Sequence, residues 1–133
     1  MEKMIQFFKE NDRFARFIGI ELLEMKPGFA RACLKIEEHH LNSARFVHGG
    51  AIFTLADLAF AAAANSYGQI ALGINASINY IQGAQGGTIF AEAQEIASHP
   101  KLGTYSVRVT DEAGQLLATF QGLVYKKKDQ LMS

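Results

Sequence analysis

The sequence predicts an α+β fold: a curved antiparallel sheet wrapped around one long central helix, with an extra helix at the N-terminus. Three observations lead there. The run Ala51–Ala64 is broken only by Thr54 and Asp57, is rich in alanine and leucine and lacks proline, which marks a helix buried nearly all round. After it the chain alternates apolar and polar residues in successive stretches, the period of strands covered on one side. The length, 133 residues, with 49% hydrophobic and 20% charged, suits a single domain over 1–133.

The elements follow in order. Met4, Ile5, Phe7, Phe8, Phe14 and Phe17 recur at mixed helical spacings and predict an N-terminal helix over 1–16, with a break near Asn11 and Asp12. Residues 20–38 read as two strands around Pro27–Gly28, where proline at i+1 and glycine at i+2 suit a type II turn. In the second strand Ala30, Ala32, Leu34 and Ile36 alternate with Arg31, Cys33 and Lys35, so one face is wet. Residues 39–47 show neither period and form a long loop, the kind of segment that carries function. The buried helix stops at Asn65-Ser66-Tyr67-Gly68. Strands are expected at 74–80, 88–97, 101–110 and 115–125, separated by Gly83–Gly87, His99–Pro100 and Asp111–Gly114, and their succession implies an antiparallel meander. Residues 126–133 read as a solvated tail.

Several classes of function are disfavoured. Lys plus Arg total 13 and Asp plus Glu total 13, so no net field draws nucleic acid or a membrane surface. The longest apolar run falls short of the ~20 residues of a membrane span. Cys33 is the single cysteine and the start lacks the apolar core of a signal peptide, so a cytoplasmic location is expected. G-x-S-x-G, Walker A and G-x-G-x-x-G patterns are absent. His39 and His40 are adjacent but have no partners at metal-ligand spacing, so no metal site is expected.

Chemistry concentrates where loop becomes helix. His48-Gly49-Gly50 stands there, and the free amides of a first helical turn, approachable across glycine, suit the oxyanion formed when an ester or thioester carbonyl is attacked. Asp57 is the second feature, since an unpaired buried carboxylate is expensive. Either Thr54 and nearby amides satisfy it, or it faces solvent, or it is a reagent. Gly49 and Asp57 are eight residues apart, about 12 Å along a helix axis at ~1.5 Å per residue, too far to meet at one carbonyl. Two such helices lying antiparallel across a two-fold axis would instead bring each helix start to the middle of the other, giving two sites per homodimer. Asn42 and His48 flank the loop. As a functional pair they orient water and hold the substrate carbonyl; as a structural pair Asn42 makes a turn and His48 caps the helix.

Asn42, His48, Gly49, Gly50 and Asp57 in this spacing, followed by "LAFAAAANSYG" and "INASINYI", resemble the hotdog-fold acyl-CoA thioesterases of the phenylacetate-degradation type, over roughly residues 15–126. The resemblance implies a hotdog fold and an enzyme that cleaves an acyl-CoA to CoA and a carboxylic acid. It implies that Asp57 attacks the thioester or activates water, that the Gly49 amide of the opposite subunit polarises the carbonyl, and that His48 and Asn42 position substrate and water. Gly50 and Thr54 join the substrate side. Arg45, Lys101 and Arg108 are the basic candidates for CoA phosphates, and Phe53, Phe60 and Tyr80 the candidates for the acyl pocket. Family members are commonly dimers or dimers of dimers, which implies sites at subunit interfaces here, and no cofactor beyond the substrate is expected. Many place a Ser or Thr early in the strand after the helix; the nearest positions here are Gly73, Asn75 and Ser77. The competing readings are a hotdog hydratase or dehydratase on acyl thioesters and a non-catalytic acyl-CoA-binding dimer.

Overall fold

The computed structural model describes residues 1–132 and divides the N-terminal helix at Asp12, into α1 (Glu2–Asn11) and α2 (Arg13–Ile18). Asp12 causes the division: its carboxylate accepts from the Ala15 amide at 3.1 Å and so starts a new helix where the old one would continue. Gly19, at φ +100°, ends α2. Then come β1 (Ile20–Lys26), β2 (Phe29–Lys35), a 3-10 turn (Glu38–His40), α3 (Gly49–Ala64), β3 (Gln69–Tyr80), β4 (Thr88–Ser98), β5 (Leu102–Thr110) and β6 (Leu116–Gln130). Gly28 sits at φ +74° between β1 and β2, as the type II turn requires.

The six strands lie in the order β1-β2-β4-β5-β6-β3, every pair antiparallel. The expected meander is therefore correct only for β4, β5 and β6. β3 leaves α3 to pair with β6 at one edge, and residues 81–87 carry the chain across to place β4 against β2. Small side chains explain the choice of partner. Ala30 pairs with Ala93 and Ala32 with Ala91, all four fully buried, and this alanine seam lets α3 lie close over β2 and β4. β3 has no such row; apart from Ala71 its side chains are partly or wholly exposed.

The core lies between α3 and the sheet. Leu55, Ala56, Ala59, Ala62 and Ala63 are wholly buried against a sheet face that includes Ile89, Tyr105, Val107, Val109 and Leu117. Phe60, expected at the acyl pocket, belongs instead to this core: it is 2% exposed, with its ring centroid 5.9 Å from Tyr105 and 5.5 Å from Phe120. Full burial of such a ring contributes roughly 1.5–3 kcal/mol.

Two further boundaries differ from expectation. β3 begins at Gln69 rather than 74, and its first residues need a partner, so β6 runs on to Gln130 with Ala71 opposite Lys126 and Gln69 opposite Gln130. Residues 126–130 are thus a strand with mostly exposed side chains rather than a tail, and Ser133 lies outside the described residues. The join between α3 and β3 is made by Asn65, 5% exposed. Its Oδ1 accepts from the Ala71 amide at 2.9 Å while Nδ2 donates to Ala61 O at 2.8 Å and Ala71 O at 3.1 Å. Among the described residues no helix is long and apolar enough to cross a membrane.

Candidate active site

Asp57 does not lie in the core. Gly50, Thr54, Asp57 and Ala61, three and four residues apart, form the stripe of α3 that the sheet leaves uncovered, with Phe53 at its margin packed on Phe120 of β6 at 5.5 Å, and Asp57 stands exposed within it. The expectation of a helix buried nearly all round is corrected there: the sheet is one-sided and covers only the faces that point into it. Asp57 has no hydrogen bond or ion pair among the described residues. Thr54 does not serve it, because its hydroxyl donates to Gly50 O at 2.7 Å. The side chain reaches solvent, yet the apolar surroundings displace enough water to raise its pKa above the ordinary 3.8, with the Asp12 carboxylate adding to the shift.

The α3 N-terminus is built by its cap. His48 is extended at φ −60° and ψ 136°, and its Nδ1 accepts from the Gly50 amide at 2.8 Å. With Nδ1 engaged as acceptor, Nε2 is the ring nitrogen left to face the site. His48 O accepts from Ala51 at 2.9 Å and Ile52 at 3.2 Å. The Gly49 N–H has no acceptor among the described residues, so the first turn keeps one donor open. Tyr80, at the end of β3, donates to Gly49 O at 3.0 Å, and a Cβ on Gly49 would meet the Tyr80 Cζ at 3.1 Å. Glycine is needed at 49 for this close approach and not for backbone freedom.

The loop before it is braced from within. Leu41 bridges to Val47, and Asn42 Oδ1 accepts from Ala44 at 2.9 Å and Phe46 at 3.0 Å. Asn42 thus spends its oxygen on the loop and leaves its NH₂ unused. Arg45 sits at φ +67°, a left-handed conformation that costs a non-glycine residue roughly 1–2 kcal/mol, with its side chain exposed. The Phe46 ring lies over Gly83, where a Cβ would stand 2.7 Å from Cδ1.

One contributor was not legible in the sequence. His40 is 4% exposed, takes the Glu37 amide on Nδ1 at 2.9 Å and bonds Ile18 O through Nε2 at 2.7 Å, while its own carbonyl accepts from the His48 amide at 2.7 Å. It therefore links the end of α2 to the residue that caps α3. Ile18 lies 22 positions away, and no local pattern announces such a partner.

Two depressions meet at Tyr80. One, of ≈ 540 Å³, is bordered by Phe14, His48, Gly50, Phe53, Thr54 and Tyr80 among others. The other, of ≈ 400 Å³, includes Asn42, Gly49 and Tyr80. Asp57 borders neither, so within one chain the candidate carboxylate and the open Gly49 donor are separate. Lys101 sits in the β4–β5 connection, its carbonyl accepting from Lys126 at 2.8 Å; Lys126 also borders a hollow with Ala64 and Tyr67, at the far end of α3 from Gly49. Arg108 and Ser77 lie with Asn79 and Thr119 on the sheet face opposite α3. Gly73 rests on the Phe60 ring, where a Cβ would be 3.1 Å from Cε2, and offers no hydroxyl. Among the described residues no three His, Cys, Asp or Glu side chains gather as cation ligands would.

Comparison with known proteins gives a consistent picture. The model of the thioesterase superfamily matches residues 44–118, from the later part of the loop through α3 and the strands to the start of β6. A candidate esterase of Archaeoglobus fulgidus is 40% identical over 95% of this chain and 82% of its own length. The acyl-coenzyme A thioesterase PaaI of Escherichia coli is 34% identical over 85% of this chain and 81% of its own. The solved structure of the Escherichia coli PaaI protein superimposes with a TM-score of 0.93 at 29% identity, covering 97% of this chain and 94% of that one.

Proposed function

The chain belongs to the thioesterase superfamily and has the hotdog fold, and on that premise we propose that it is an acyl-CoA thioesterase whose two halves of chemistry come from different subunits of a homodimer. The observation that carries this reading is the division just described: an unpaired, exposed carboxylate and an open helix-start amide on one helix, neither able to reach the other. Antiparallel apposition of two α3 helices resolves it. β3 is the natural seam, because it is a long edge strand with exposed Leu72 (50%), Ile74 (56%) and Tyr80 (52%), the kind of edge that pairs with a second chain.

In this arrangement the thioester carbonyl oxygen faces the Gly49 N–H. That donor is set in place before the reaction, so it stabilises the negative charge that develops on oxygen. Asp57 of the partner subunit then either attacks the carbonyl carbon, to give an acyl anhydride that water cleaves, or takes a proton from water as it attacks. Both routes consume one water and yield the carboxylic acid and the CoA thiol, with no cofactor. His48 Nε2–H and the free Asn42 NH₂ orient substrate and water, and Gly50, Thr54 and Tyr80 bound the substrate. Arg45 from one subunit and Lys101 from the far helix end of the other take CoA phosphates. The lone, unpaired Cys33 fits a cytoplasmic site of action.

The test is thiol release from a panel of acyl-CoAs. Wild type is expected to turn over, and Asp57→Ala to lose turnover while remaining a dimer. Full activity in Asp57→Ala would sink the assignment. Binding without thiol release would favour the non-catalytic dimer, and interconversion of enoyl and hydroxyacyl thioesters the hydratase.

A further inference from the structure

We infer that Phe14, on the N-terminal helix pair, is a specificity-determining residue that walls the acyl-group pocket and favours extended apolar acyl chains over acetyl. The inference rests on the thioesterase reading and names which part of the chain selects its substrate. Phe14 is 62% exposed and takes no part in the core, yet it borders the same depression as His48, Gly50, Phe53 and Tyr80. An aromatic ring left in water beside an apolar hollow gains a hydrophobic contact only when something apolar fills that hollow. With the carbonyl held at the start of α3, the acyl chain is what extends into it. An acetyl group ends beside the turn and leaves the wall uncovered.

The wall is held in place. Asp12 fixes the start of α2 by its bond to Ala15, and Ile18 O receives His40 Nε2 at 2.7 Å. His40 in turn holds the His48 amide through its carbonyl at 2.7 Å, so α2 and the cap of α3 share one tether. Phe17, on the same short helix and 83% exposed, does not border the depression and serves as the internal control.

The experiment compares kcat/KM of wild type, Phe14→Ala and Phe17→Ala with acetyl-, hexanoyl- and benzoyl-CoA. Phe14→Ala is expected to lose about tenfold with hexanoyl- and benzoyl-CoA, chiefly through KM, and less than about twofold with acetyl-CoA, the scale of an apolar pocket contact. Phe17→Ala is expected to leave all three unchanged, and neither variant to move Tm, since neither ring is buried. A Phe14→Ala enzyme with the wild-type ratio of hexanoyl to acetyl would overturn the inference and leave the thioesterase reading standing. If wild type releases no thiol from any of the three, that reading fails, and the same ratio measured as Kd decides the wall.

Discussion

Asp57 carries a burden that can be read as pH dependence. Its pKa is raised, first by desolvation and then by Asp12, so the native state holds the proton at pH values where the unfolded chain has released it. The proposed mechanism needs the ionised form. The acid limb of kcat/KM is therefore expected at an apparent pKa above 3.8, and a limb at or below that value would contradict the assignment. The same sign makes Asp57 unfavourable to stability once pH exceeds its native pKa. Asp57→Asn is thus expected to abolish turnover while its Tm at pH 7 equals or exceeds that of wild type, checked by calorimetry. His40 makes the opposite case, because both ring nitrogens are bonded in a buried setting. His40→Leu leaves the Glu37 amide and Ile18 carbonyl without partners, and an unfolding free energy lowered by about 1–3 kcal/mol is expected in urea denaturation. The parts of the candidate site legible in the sequence are those that depend on near neighbours, the glycines at a helix start and a carboxylate in an apolar run. Tyr80 meets Gly49 from 31 positions away, which no spacing reveals.

Among the elements, α3 was readable because burial writes itself into composition, and the strands because alternation does. Strand order was not. The pairing of β4 with β2 depends on Ala30 and Ala32 meeting Ala93 and Ala91 under the helix, a match between segments some sixty positions apart that neither segment shows alone. The closeness of this packing sets an expectation for Gly122 on β6. A Cβ there would lie 2.5 Å from the Phe60 Cζ, with two more ring carbons within 2.8 Å. Gly122→Ala must displace a ring already packed against Tyr105 and Phe120, and a loss of about 1–3 kcal/mol in denaturant unfolding is expected. The strand end at Gln130 leaves no mark in the sequence because a lysine-rich stretch reads as solvent-facing whether or not its backbone is paired, and Lys126 to Gln130 are paired yet largely exposed.

For the whole molecule, the proposed division of the site between subunits predicts a direct signature in mixing. Asp57→Asn and Gly49→Val are each expected to be inactive, the second because its side chain would collide with Tyr80. After the two are unfolded and refolded together, half the dimers are mixed and each mixed dimer rebuilds one intact site, so about a quarter of wild-type activity returns. No recovery would place both groups in one chain. Asn65 has a bearing on such assemblies through chain length. It grips Ala61 on one side and Ala71 on the other, so an inserted residue between them shifts β3 along α3 by roughly 3.3 Å and flips its faces. The exposed turn at Ala113–Gly114, with open space around Gly114, is braced only within itself, by Asp111 Oδ1 accepting from Ala113 at 3.0 Å and Gln115 at 2.8 Å, and fixes no element against another. A peptide tag or a new pair of termini belongs there, and the stretch from Asn65 to Ala71 is where the chain tolerates no change of length.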